Sequence, residues 1–167
     1  ALVDGKMTLL APLENLEEFT LDGIQYEAFN TSGGLGSLGE SLAGRARNVN
    51  YKTIRYPGHC ELMKFLLHDL GFRNAKDTLR DHFDKSIPGT AQDQIVIYVS
   101  AIGVAGGKLT ERTYAKTIYH QQIDGEEWTG IQVTTAAGIT GVVDMVRSGE
   151  LKQAGFLKME EIDCAAF

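Results

Sequence analysis

The sequence predicts an α+β domain, with helices on one face of a mixed, largely antiparallel sheet. Three observations predict it. The elements run hairpin, helix, strand, two helices, hairpin, helix, which is not the regular β-α-β-α alternation of a parallel-sheet fold. Asp22-Gly23, Gly106-Gly107 and Asp124-Gly125 each separate β-rich segments, and such pairs suit tight hairpin turns. The length of 167 residues fits one domain over 1–167 and falls short of a two-domain enzyme with its own cofactor module.

Residues 16–21 and 24–29 are predicted strands. Ile24, Tyr26 and Ala28 share one face and Gln25 and Glu27 the other, the period-2 pattern of a half-exposed sheet. A glycine-rich loop follows from Asn30, then a helix over 35–43 stopped by Gly44. A strand is expected over 48–56, with Thr53 and Arg55 on one face, ended by Pro57-Gly58.

Leu62, Phe65, Leu66 and Leu70 make a helical stripe over 59–70, ended by Gly71. Ala75, Leu79 and Phe83 mark the next helix. Residues 95–104 are β-branched and aromatic, and 109–123 form a long partner strand. Ile131, Thr135, Gly138, Val142 and Val146 stripe a helix over 129–148, with Trp128 anchoring its start and Gly149 stopping it. The tail, 155–167, is expected to form a short strand and a short helix.

Composition excludes several classes. Sixteen Lys+Arg against 22 Asp+Glu leave a net charge of −6, which disfavours a nucleic-acid backbone binder. No apolar run of about 18 residues exists, so a membrane span is not expected. Cys60 and Cys164 lie far apart, and free thiols in a reducing, cytoplasmic setting are favoured over a disulfide. His68, His82 and His120 have no ligand spacing, so no metal is expected. Asn30-Thr31-Ser32 has the form of a glycosylation acceptor, idle in that setting. The start at Ala1, with no Met and no secretory signal, gives the expectation of a domain cut from a larger protein.

The sharpest motif is Gly34-Leu35-Gly36-Ser37-Leu38-Gly39, which spells G-x-G-x-x-G. In a dinucleotide fold this brings a helix N-terminus onto a pyrophosphate. Here the preceding strand alternates, whereas a first Rossmann strand is buried on both faces. The second strand ends in Arg55-Tyr56 rather than an acidic residue. A nucleotide-binding module is thus the weaker alternative. The loop's backbone N–H groups and the Thr31 and Ser32 hydroxyls suit a carboxylate equally, and so does a plain turn that lets a helix pack close to a sheet.

Three blocks resemble the substrate domain of the saccharopine dehydrogenase family. They are Asn30-Thr31-Ser32-Gly33-Gly34-Leu35-Gly36-Ser37-Leu38, Asn50-Tyr51-Lys52-Thr53-Ile54-Arg55-Tyr56-Pro57-Gly58-His59, and Gln132-Val133-Thr134-Thr135-Ala136-Ala137-Gly138, followed by Gly155-Phe156. They span nearly the whole chain in order, and the second is the most specific. Gly39 stands where the family would carry a less flexible residue. Relatives include lysine 6-dehydrogenase-like and carboxynorspermidine synthase-like enzymes.

The resemblance implies a fold similar to the C-terminal domain of glyceraldehyde-3-phosphate dehydrogenase. It implies an enzyme of lysine metabolism whose Rossmann domain, outside this chain, binds NAD or NADP. It further implies a homodimer and a small amino-acid substrate oxidised at its CH–NH group. Arg55 would bind a substrate carboxylate through two parallel hydrogen bonds. Asn30, Thr31, Ser32, Gly33, Gly34 and Tyr56 would join it. Thr134 and Thr135 would either reach substrate or pack their helix. His59 would shuttle a proton or simply cap the following helix. A purely structural dimerisation domain is the remaining alternative.

Overall fold

The computed structural model describes residues 1–152 and 154–167. Helix takes 31% of the chain and strand 30%, so the class is α+β. Where the sequence suggests one sheet, the described residues form four small antiparallel ones. The chain divides at the Pro88-Gly89 break into two compact units, Ala1–Pro88 and Gly89–Phe167.

The first unit opens with a short hairpin, β1 (Leu2–Val3) and β2 (Lys6–Met7), and Leu2 bridges to Val49. Its main sheet is β3 (Glu17–Leu21), β4 (Ile24–Phe29) and β5 (Thr53–Arg55) in that order. Leu21 pairs with Ile24 across Asp22-Gly23, and both turn residues have positive φ, which the primed hairpin turns require. Only three residues of the expected 48–56 strand pair with the sheet, because β5 meets only Glu27, Ala28 and Phe29. The helix expected over 35–43 shrinks to one turn, α1 (Leu38–Ser41).

Helix α2 (His59–Lys64) runs into a π-helical turn at Phe65–Asp69, and α3 (Lys76–Ser86) follows. Leu13, Phe29 and Cys60 form the core under α2, with Met63 and Leu67 packed on it. This packing corrects the half-exposed reading of β4. Tyr26, Glu27, Ala28 and Phe29 are all buried, so both faces of its last two turns of pleat are covered.

The second unit is built on a ribbon of β6 (Gln94–Ala105) and β7 (Lys108–Tyr119), paired without a break around Gly106-Gly107. The long partner strand expected to Ile123 is interrupted at His120. A small hairpin, β8 (Gln121–Ile123) and β9 (Glu126–Trp128), takes up the rest. Helix α4 (Gly130–Ser148) approaches the ribbon closely at Gly130. A Cβ on Gly130 would sit 3.1 Å from the Ile118 carbonyl oxygen and 3.4 Å from Ile95.

The inward side of α4 carries Gly130 and Met145. Ile131, Thr135 and Val146, expected on a buried stripe, face outward instead. The tail forms a single turn, Met159–Glu161, and the expected strand is not among the described residues.

Candidate functional site

Helix α2 begins with a problem of unpaired backbone donors. The first N–H groups of any helix lack intrahelical partners. Gly58 is the N-cap and has no side chain to supply an acceptor. A carboxylate from β4 supplies it: Gly58 N–H donates to Glu27 Oε2 at 2.8 Å, and Cys60 N–H donates to Oε1 at 2.6 Å. Glu27 is 2% exposed, so these are charge-assisted bonds in a dry setting. They clamp the Tyr56-Pro57-Gly58-His59 turn onto the sheet.

Arg55 lies directly opposite Glu27 in the β4–β5 register. Its side chain is exposed, with Nη1 donating to the Ile54 carbonyl at 2.7 Å. Its strand, β5, lies at the edge of the three-stranded sheet. Next to it, the His59 ring stacks on Phe29 with centroids 6.0 Å apart. Burial, then the Arg55 charge, holds His59 below the ordinary imidazole pKa, and the Glu27 charge partly opposes them. A neutral imidazole beside a cationic guanidinium can accept a proton at neutral pH.

The glycine-rich loop joins this edge from β4. The Thr31 and Thr53 hydroxyls lie 2.8 Å apart, and Thr53 shares a strand face with Arg55. Ser32, Gly33 and Gly34 are exposed. A Cβ on Gly33 would meet the Tyr51 ring at 3.0 Å, so this glycine allows a close approach of loop and ring.

Asn30 differs from its neighbours. It is buried, accepts from Asn15 Nδ2 at 2.8 Å and donates to the Tyr51 carbonyl at 3.3 Å. Its side chain ties loops together rather than facing outward. Tyr56 stacks on Tyr26, centroids 5.7 Å apart. Tyr26 and Glu27 are adjacent on β4 and point to opposite faces, so the Tyr56 ring diverges from Arg55.

The G-x-G-x-x-G run is followed by no long helix of the kind that carries a pyrophosphate in a dinucleotide fold. It leads into the one-turn helix α1, and the third glycine is there for packing. A Cβ on Gly39 would collide with Met7 Sδ at 2.9 Å and crowd Leu35 at 3.2 Å.

Thr134 and Thr135 lie on α4 in the second unit. The Thr134 hydroxyl donates to the Gly130 carbonyl of its own helix at 2.8 Å. Thr135 lines a shallow apolar groove with Trp128, Ile131, Ala136 and Ile139. Asp93 accepts from the Gly130 and Ile131 N–H groups at the start of α4, while Thr129 and Gln132 complete a capping box. Those backbone bonds, the one from Gly130 first, hold the Asp93 carboxyl below its usual range.

Cys60 and Cys164 are free thiols. Cys60 is fully buried, donates to the Leu13 carbonyl, and burial pushes its pKa up, so it is a packing group rather than a nucleophile. Among the described residues no three His, Cys, Asp or Glu side chains converge as a metal site, and no helix is long and apolar enough to cross a membrane.

Sequence reasoning missed Glu27 and Asp93. The signal for Glu27 was present: a helix starting after Pro57-Gly58 has no capping side chain of its own and needs an acceptor from elsewhere. No protein-family model matches this chain.

Proposed function

We propose that the chain is the substrate-binding and homodimerisation domain of a cytoplasmic NAD(P)-dependent oxidoreductase. Its reaction would be at the CH–NH group of saccharopine or a related amino acid of lysine metabolism. One observation carries this reading. Within the block that resembles the family most specifically, Arg55 is exposed at a sheet edge, opposite the buried Glu27 and beside His59, whose ring stacks on Phe29.

A mobile surface arginine has no such frame. Here the strand fixes the guanidinium's origin, and the Glu27 clamp fixes the turn beside it. That preorganisation lowers the ordering cost of binding a carboxylate. Arg55 binds and orients the substrate carboxylate, Thr31 and Ser32 offer hydroxyls to it, and His59 accepts a proton from the amine. In this reading a cofactor domain outside the chain supplies the hydride chemistry.

Isothermal calorimetry of the chain with saccharopine tests the reading. Binding should be measurable, and Arg55→Ala should weaken it about 10- to 100-fold, the loss of a charge-assisted pair. Equal affinity in the variant, or no heat of binding in the parent chain, would overturn it.

A further inference from the structure

Tyr51 is 52% exposed, yet it is held at three points. Its carbonyl oxygen accepts from the buried Asn30 side chain at 3.3 Å. Next in the chain, the Lys52 ammonium meets Glu17 at 2.8 Å. One edge of the Tyr51 ring rests on Gly33, where an added Cβ would stand 3.0 Å from the ring. Gly33 has no positive φ, so the ring and not the backbone calls for glycine there. Burial does not account for this hold, because half of the residue faces water. The Tyr51 hydroxyl has no hydrogen-bond partner among the described residues.

The register fixes which way Tyr51 faces. Glu17 pairs with Ala28 and Ala28 with Ile54, so the Lys52–Glu17 contact lies on the Ile54 face of the sheet. Alternation sends Tyr51, Thr53 and Arg55 to the other face. There Tyr51 meets Gly33 and Thr53 meets Thr31. The result is a row with a guanidinium at one end, a pair of hydroxyls in the middle and a phenol at the other end. Four residues of extended chain put its ends up to about 13 Å apart.

We propose that Tyr51 is a specificity-determining residue of the Arg55 site. It donates its phenolic O–H to the second carboxylate of an extended substrate that carries a carboxylate at each end. The proposal rests on Arg55 as the residue that binds the first carboxylate. At neutral pH a phenol is a donor, and its bond to an anion is charge-assisted. Glu17, tied to the same segment, lies on the other face and is paired with Lys52, so it is not there to hold an ammonium. The Tyr51 ring covers the methylene chain on the way, as tyrosine does where one end is apolar and the other wet. Because the residue is already held, little ordering cost falls on binding. Saccharopine is long enough to reach from Arg55 to Tyr51, whereas glutamate is not.

Shift titration of the ¹⁵N-labelled chain with each of these two ligands tests the assignment. Tyr51→Phe keeps the ring and removes the donor, and should weaken saccharopine binding about tenfold. Glutamate should bind the parent chain and Tyr51→Phe equally. Gly33→Ala displaces the ring and should reproduce the selective loss. Arg55→Ala should weaken both ligands. If Arg55→Ala weakens saccharopine and Tyr51→Phe does not, the role of Tyr51 is overturned while that of Arg55 stands. If Tyr51→Phe weakens glutamate as much as saccharopine, Tyr51 supports the site without reading the far carboxylate, and its role is again overturned. Absence of saccharopine binding to the parent chain overturns both roles.

Discussion

The first unit has the shorter elements and the better core. It buries Leu2, Leu13, Tyr26, Ala28, Phe29, Cys60 and Leu79, although its longest strand has six residues. The second unit has two twelve-residue strands and a nineteen-residue helix, yet among its described residues the buried hydrophobics are Met145 and Ile162. Regular backbone pairing and side-chain burial are therefore separate achievements. The ribbon and α4 satisfy their hydrogen bonds locally, while the first unit's stability comes from side chains meeting across distant segments.

The largest expected contrast follows from that difference. Phe29→Ala should cost about 3–5 kcal/mol in urea unfolding, the price of emptying a filled core site. Met145→Ala should fall near the lower end for such substitutions, about 2 kcal/mol, because it lies outside the cluster of buried residues that holds Phe29. Equal costs would mean that the second unit has a core of its own.

The helix starts sharpen the comparison. Glu27 reaches α2 from 31 to 33 residues away and is buried. Glu27→Ala leaves donors in a dry site and should cost about 2–3 kcal/mol. At α4, Thr129 and Gln132 cap each other within one turn and Asp93 adds a second acceptor. Thr129→Ala should therefore cost only about 1 kcal/mol, with faster amide exchange confined to the first turn. A larger loss at Thr129 than at Glu27 would reverse the ranking.

The smallest effect is a pH effect at His59. Its folded pKa lies below the ordinary 6.5, so the folded state binds fewer protons than the unfolded chain between the two values. Its stabilising share is complete above pH 6.5 and is lost as pH falls through the folded value. Glu27→Gln removes the one charge that raises this pKa, so the imidazole titration followed by NMR should move to still lower pH. A shift upward would show that Glu27 does not face His59 electrostatically.

These contrasts also explain what the sequence disclosed. Turns and helix ends are local, so Asp22-Gly23, Gly106-Gly107, Thr129 and Gly149 sit where the pattern placed them. Residue type and a short motif suffice to single out Arg55 and His59 as candidates, and the register sets Arg55 opposite Glu27. Glu27 was not singled out, because alternation assigns it to a solvent face, and only α2 folding over that face buries it. The outward turn of Ile131, Thr135 and Val146 was hidden for a similar reason. Periodicity finds the stripe of a helix, but the close approach at Gly130 decides which side meets the ribbon. The loss of most of the 48–56 strand depends on how far β4 extends as a partner, a non-local matter.

The central claim is that the Arg55 edge of the first unit binds an amino-acid carboxylate. Titrating the ¹⁵N-labelled chain with saccharopine maps the site residue by residue. Shifts should centre on Thr31, Ser32, Gly33, Gly34, Thr53, Arg55 and His59 and vanish in Arg55→Ala. Shifts confined to α4, or none at saturating ligand, would contradict the claim.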